Sequence, residues 1–122
     1  YIVQIEGIPD DDDLARLNSG VVIEAKRTKP AIVRLFDHEP DFPIRAVPIR
    51  FRKKVPTAWL EMTLREGRNR QIRKMTAAVG HPTLRLVRTS IAFLTLKELH
   101  PGEYRELTSE EIEKLYSLLL IF

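Results

Sequence analysis

The stretch best equipped for chemistry is Gly67-Arg68-Asn69-Arg70-Gln71-Ile72-Arg73-Lys74-Met75, with Arg65 just ahead of it. A glycine and a polar residue able to cap a helix, Asn69, lead into a short helix carrying three cations. Such a junction offers unpaired backbone N–H groups together with side-chain positive charge, which suits an anionic partner. Spacing then separates the roles. Over a helix predicted across residues 69–79 and closed by Gly80, Ile72, Met75, Thr76 and Val79 recur three and four apart and form a buried face. Arg70 and Lys74 point the other way, and Arg73 falls on the flank between the two faces. An arginine at the margin of a core needs a carboxylate or a phosphate, because an unpaired charge in a low dielectric is costly. The bland alternative is an amphipathic helix with a solvated basic face. Against it stand Arg65 and Arg68, cations that begin before the helix does.

A second basic cluster, Arg45, Arg50, Arg52, Lys53 and Lys54, lies upstream, and Arg85 and Arg88 follow downstream. These residues would grip phosphates and fix register without reading sequence. A charged edge strand kept from aggregating is the equal alternative for the upstream group. The net charge is only +3, but Asp10 to Asp13 and Glu110, Glu111 and Glu113 flank a basic middle, as in a one-sided nucleic-acid footprint. The absence of cysteine excludes disulfides and thiolate metal sites and fits a reducing, cytoplasmic compartment. His38, His81 and His100 have no metal-ligand spacing and read as turn residues. No apolar run is long enough to span a membrane, and the first residues do not have the pattern of a signal peptide. The chain begins at Tyr1 rather than methionine, so it is expected to be part of a longer protein.

The elements that must position these side chains are short. Residues 1–5 read as a strand, and Tyr1 there is either a wall for a base or a cover for the core. The acidic run from Asp10 opens a helix that Asn18-Ser19-Gly20 ends. Strands are predicted over 21–23, 31–36, 59–64, 84–87, 93–96 and 102–107, with an edge strand over 49–54 and turns over 26–30 and 37–48. Trp59 reads as core. Thr108 and Glu111 have the capping-box spacing, and the helix they begin carries Ile112, Leu115, Leu118 and Leu119 on one side. The expectation is a single α+β domain over 1–122, mainly antiparallel strands with a few helices packed on the sheet.

Four stretches together carry a resemblance: Tyr1-Ile2-Val3-Gln4-Ile5-Glu6-Gly7, Glu66 through Met75, Val79-Gly80-His81-Pro82, and Leu86-Val87-Arg88. They resemble successive motifs of the bacterial ribosomal-RNA pseudouridine synthases, in the branch typified by the small-subunit enzyme RsuA. Pro56-Thr57-Ala58-Trp59-Leu60 and the overall spacing are most similar to the large-subunit (23S) synthase E subgroup. The resemblance covers nearly the whole chain, and the Gly-Arg-Asn-Arg-Gln-Ile-Arg-Lys-Met string is its specific part.

The resemblance implies the C-terminal portion of a catalytic domain that isomerises a uridine of ribosomal RNA to pseudouridine through a flipped-out base, with no metal or cofactor. A monomer with ribosomal RNA as its partner is expected, and no membrane. Tyr1 would stack on the uracil and help remove its carbon-5 proton. Arg73 would pair with the catalytic aspartate, in keeping with its place on the helix flank. Arg65, Arg68, Arg70, Lys74, Arg50, Arg52, Lys53, Lys54, Arg85 and Arg88 would contact RNA. Two departures stand out. The family's aspartate lies in a Gly-Arg-Leu-Asp-type segment ahead of the tyrosine strand, which has no counterpart here; Asp10 to Asp13 stand in the wrong context. The usual glycine of the last motif is replaced by Ala92 in Ser90-Ile91-Ala92-Phe93. The nucleophile is therefore expected upstream, in a parent chain. The competing readings are a non-catalytic RNA-binding or ribosome-associated module and a protein-interaction domain. RNA binding through many cations should weaken steeply as salt rises, which separates the last of these from the others.

Overall fold

Alternating apolar residues at the start of the chain form β1 (Ile2–Glu6), with Val3 and Ile5 fully buried on one face. In the computed structural model, which describes residues 1–41, 55–96 and 98–119, β1 lies inside a four-stranded sheet. Its neighbours are β5 (Thr57–Thr63) and β6 (Thr83–Val87), and β4 (Ile32–Leu35) pairs with the far side of β5. The order is β4-β5-β1-β6 and every pairing is antiparallel. The α+β expectation is borne out. Contacts divide the chain into two compact units, Tyr1–Arg88 and Thr89–Phe122.

In the first unit the register sets Val3 opposite Leu60 and Ile5 opposite Ala58. The same face is covered by α1 (Asp11–Ser19) and α2 (Gln71–Ala78). Leu17 from the first helix and Ile72 and Met75 from the second join Val3, Ile5, Val33, Leu60 and Met62 in one apolar cluster. Truncating a fully buried member such as Leu60 or Met75 to alanine costs about 2–5 kcal/mol. Trp59 is buried as expected, though it lies outside that cluster.

Helix α1 starts as the acidic run suggests. Asp10 accepts from the Asp13 N–H at 2.8 Å, and the Asp13 carboxylate accepts from the Asp10 N–H at 3.1 Å. Asn18 then fastens the helix to β4: its amide donates to the Leu14 and Val33 carbonyls and accepts from the Val33 N–H. The predicted turn at 26–30 is partly a strand. Here β2 (Val22–Ile23) and β3 (Lys26–Arg27) form a hairpin closed by Glu24 and Ala25, both with positive φ, as a two-residue turn of this hand requires.

The second unit holds a small hairpin, β7 (Ser90–Ile91) with β8 (Leu94–Thr95), where a single strand over 93–96 was expected. Ala92 in its turn has φ 51°, a left-handed conformation that an L side chain adopts at about 1–2 kcal/mol. A glycine, the residue the family resemblance puts there, avoids that strain. The strand expected over 102–107 is not formed: these residues are exposed and have no ladder partner. Helix α3 (Ser109–Leu119) opens on the expected capping box. The Glu111 N–H donates to Thr108 Oγ1 at 3.1 Å, and the Thr108 N–H donates to Glu111 Oε1 at 2.9 Å. Arg105 grips both Glu111 oxygens at 2.8 Å and, with the Thr108 N–H, holds that carboxyl down to about 2. The edge strand expected over 49–54 lies outside the described residues. Among the described residues no helix is long and apolar enough to cross a membrane.

Candidate active site

The basic stretch approaches α2 through side chains that the sequence does not advertise. Arg70, not Asn69, occupies the cap position. It sits in the left-handed region (φ 51°) and makes no capping bond with its side chain. Gln71 ties the preceding loop to the helix instead. It is buried at the first helical position, and its Oε1 accepts from the Arg68 N–H at 3.0 Å. Its Nε2 donates to Glu66 Oε1 at 2.9 Å and to the Met75 sulfur at 3.6 Å. The same Glu66 oxygen accepts from the Lys29 N–H at 2.7 Å, which holds this carboxyl below its ordinary range. The network ties the Gly67 loop both to the start of the helix and to the segment ahead of β4.

Within this frame lies a cavity of about 270 Å³ lined by Tyr1, Leu64, Gly67, Arg70, Ile72, Arg73 and Leu86, among others. That is near the lower limit for small-ligand sites, about 300–1,000 Å³, and suits one planar base. Tyr1 and Arg73, far apart in sequence, are thus brought to one wall and one flank of a single space. Tyr1 is carried there by the sheet: its nitrogen donates to the Met62 carbonyl at 2.8 Å and its carbonyl accepts from the Met62 N–H at 2.9 Å. Arg73 is half-buried on the flank of α2, and among the described residues its guanidinium makes no hydrogen bond or ion pair. The apolar lining, Leu64, Ile72 and Leu86, escapes notice in the sequence because it reads simply as core.

The other cations are placed differently. Arg68 also lines the cavity, but its guanidinium donates to the Ile23 carbonyl at 2.7 Å and the Lys26 carbonyl at 3.1 Å, so it clasps the β2–β3 hairpin. Lys74 pairs with Glu24 of the same hairpin at 2.5 Å. Arg70 is exposed at the rim of the cavity and Arg65 is exposed nearby in sequence. Arg85 lies within β6. Arg88 donates to the phenol oxygen of Tyr1. Arg45, Arg50, Arg52, Lys53 and Lys54 lie outside the described residues. None of Asp10 to Asp13 lines the cavity. Asp10 caps α1, and Asp13 accepts from His81 Nε2 at 2.8 Å. Among the described residues no three His, Asp or Glu side chains stand together as metal ligands.

By fold the chain belongs with the pseudouridine synthases. A crystal structure of pseudouridylate synthase matches it with a TM-score of 0.69 and 30% identity, over 94% of this chain and 43% of that one. The sequence agrees. The chain is 48% identical over 107 residues to ribosomal large subunit pseudouridine synthase E of Vibrio parahaemolyticus, covering 88% of this chain and 44% of that protein. It is 50% identical over 105 residues to the protein of that name from Xanthomonas campestris, covering 86% of this chain and 56% of the relative. Ribosomal large subunit pseudouridine synthase B of Bacillus subtilis is 36% identical over 118 residues, 97% of this chain and 43% of that one. No family model matches the chain. The chain spans about half the length of the curated relatives it matches. The resemblance read from the motifs is borne out by these matches.

Proposed function

We propose that the full-length protein isomerises a uridine of ribosomal RNA, in the large (23S) subunit, to pseudouridine, and that these residues form the C-terminal portion of its catalytic domain. The observation that carries this reading is the Arg73 guanidinium, half-buried and without a partner among the described residues, in one cavity with Tyr1. A base inside a helix is out of reach, so the uridine is flipped out and its ring received against Tyr1 and the apolar lining. Arg73 orients an aspartate carboxylate supplied from outside these residues. That carboxylate acts on the ribose or the base. The C1′–N1 bond breaks, the uracil turns, a C1′–C5 bond forms, and the proton leaving C5 is balanced by one gained at N1. Exposed Arg65 and Arg70, with the basic residues between 45 and 54, hold phosphates around the flipped nucleotide.

The test is a pseudouridine assay on ribosomal RNA with the full-length protein. Arg73→Ala should lower kcat by about 100-fold or more, with RNA affinity within a few-fold of the unsubstituted protein. The 122 residues alone should turn nothing over. Equal losses in rate and affinity would make Arg73 a plain phosphate contact, and turnover by the 122 residues alone would overturn the mechanism.

A further inference from the structure

We infer that Arg88 is a positioning residue for Tyr1, not an RNA-backbone contact, and that it sets both the tilt of the phenol ring and the direction of its O–H. This rests on the reading that Tyr1 receives the flipped uracil. Strands β1 and β6 run antiparallel with Ile2 opposite Val87, so Tyr1 and Arg88 emerge side by side at one end of the sheet. Arg88 Nη2 donates to the phenol oxygen at 2.6 Å and Nε at 3.1 Å, and its guanidinium carbon lies over the ring, 5.2 Å from the centroid.

Tyr1 is thereby held at both ends, by the Met62 backbone pair and by the guanidinium fork. A tyrosine side chain has two rotatable bonds between those points, and both are restrained. Tyr1 lines the cavity while Arg88 does not, so the guanidinium braces the ring from outside the space the base would fill. The chemistry of the fork matters as much as its position. A guanidinium only donates. With two N–H groups on the phenol oxygen, the phenol's own hydrogen must point elsewhere, toward an acceptor such as a carbonyl of the bound uracil. A cation already engaged in this way is poorly free to grip a phosphate.

The experiment uses the full-length protein and its ribosomal RNA. Arg88→Ala should lower kcat about 10- to 100-fold, as small misplacements of a reacting group do. RNA affinity and its salt dependence should change by less than about twofold, since no phosphate contact is lost. Arg88→Lys keeps the charge but loses the fork and should recover little of the rate. In a Tyr1→Phe background, Arg88→Ala should have no further effect. A raised Kd with a shallower salt dependence, restored by Arg88→Lys, would overturn the inference. A second readout does not depend on turnover. With ring-13C tyrosine, Arg88→Ala should shift the Tyr1 ring resonances and speed its ring flips, and an unchanged ring spectrum would overturn the inference. If instead the ring responds as expected but the unsubstituted protein converts no uridine, the functional reading fails and the bracing of Tyr1 stands.

Discussion

Arg68 and Arg73 come from one basic stretch and have opposite fates. Arg68 turns back onto the Ile23 and Lys26 carbonyls, and Lys74 beside Arg73 turns to Glu24, so both fasten the β2–β3 hairpin. Arg68 and Arg73 both line the cavity, but the Arg73 guanidinium has no partner among the described residues. Positive charge that is dense in sequence is therefore not one surface in space. The tight hairpin turn presents backbone acceptors to one side of the stretch, and those acceptors compete with any phosphate for the cations they reach. The cations they do not reach are the ones available for a ligand.

Arg68→Ala is the largest challenge to that contrast. Removing a charged donor from two carbonyls should lower stability by about 1.5–3 kcal/mol in a urea titration. RNA affinity should fall much less. Unchanged stability with lost RNA binding would place Arg68 with Arg65 and Arg70 as a phosphate contact and remove the contrast.

His81 sharpens the contrast from a second side. Its Nε2 meets Asp13 at 2.8 Å and its Nδ1 meets the Glu6 carbonyl at 2.9 Å, so only the doubly protonated ring satisfies both acceptors. Gly7 leaves room for it: a Cβ there would stand 2.9 Å from His81 Nδ1. Burial pushes the imidazolium down, but Asp13 and the Glu6 carbonyl outweigh it, with Asp10 adding to them, and the net shift is upward. Asp13 is held low by the His81 bond first and the Asp10 N–H second. A raised histidine stabilises fully below its unfolded value, near 6.5, and loses that contribution as pH rises through the folded value. A lowered aspartate contributes above its unfolded value, near 3.8, and loses its contribution only in stronger acid. Unfolding free energy should therefore decline as pH rises above about 6.5, and His81→Gln should flatten that decline. A decline that survives the substitution would remove His81 from the structural cations.

Lys74→Gln is the smallest effect. Glu24 is well exposed, and at physiological salt the unfolding midpoint should stay within experimental error because such pairs are screened. A clear loss of RNA affinity would show that Lys74 leaves Glu24 to reach the ligand.

What was legible in the sequence was local. The Thr108–Glu111 capping box, the acidic start of α1 and the buried face of α2 depend on neighbours three or four residues apart, and each is found in place. The strand expected over 102–107 failed because alternation supplies a pattern but no partner edge. The cap of α2 was misplaced because the chain enters the helix through Arg70 in a left-handed conformation with no side-chain cap, while the buried Gln71 side chain binds the loop at the Arg68 N–H. The partners of Arg68 and Arg88 lie 45 and 87 residues away, on segments that no periodicity connects to them. The motif resemblance singled out Tyr1 and Arg73, but only the sheet register and the helix packing show that they share one cavity.

The interior position of β1 has a consequence for the order in which the molecule assembles. Tyr1 enters the sheet between strands from residues 57–63 and 83–87, so both of its neighbours are closed by long loops. Pairings of this kind form late, since loop closure must precede any reward from contact. Arg73 belongs to the local segment of α2, whereas the wall against which a base would lie needs those distant pairings. The cavity depends on those long-range pairings, since Tyr1, Leu64 and Leu86, which line it, lie in or beside the strands they join.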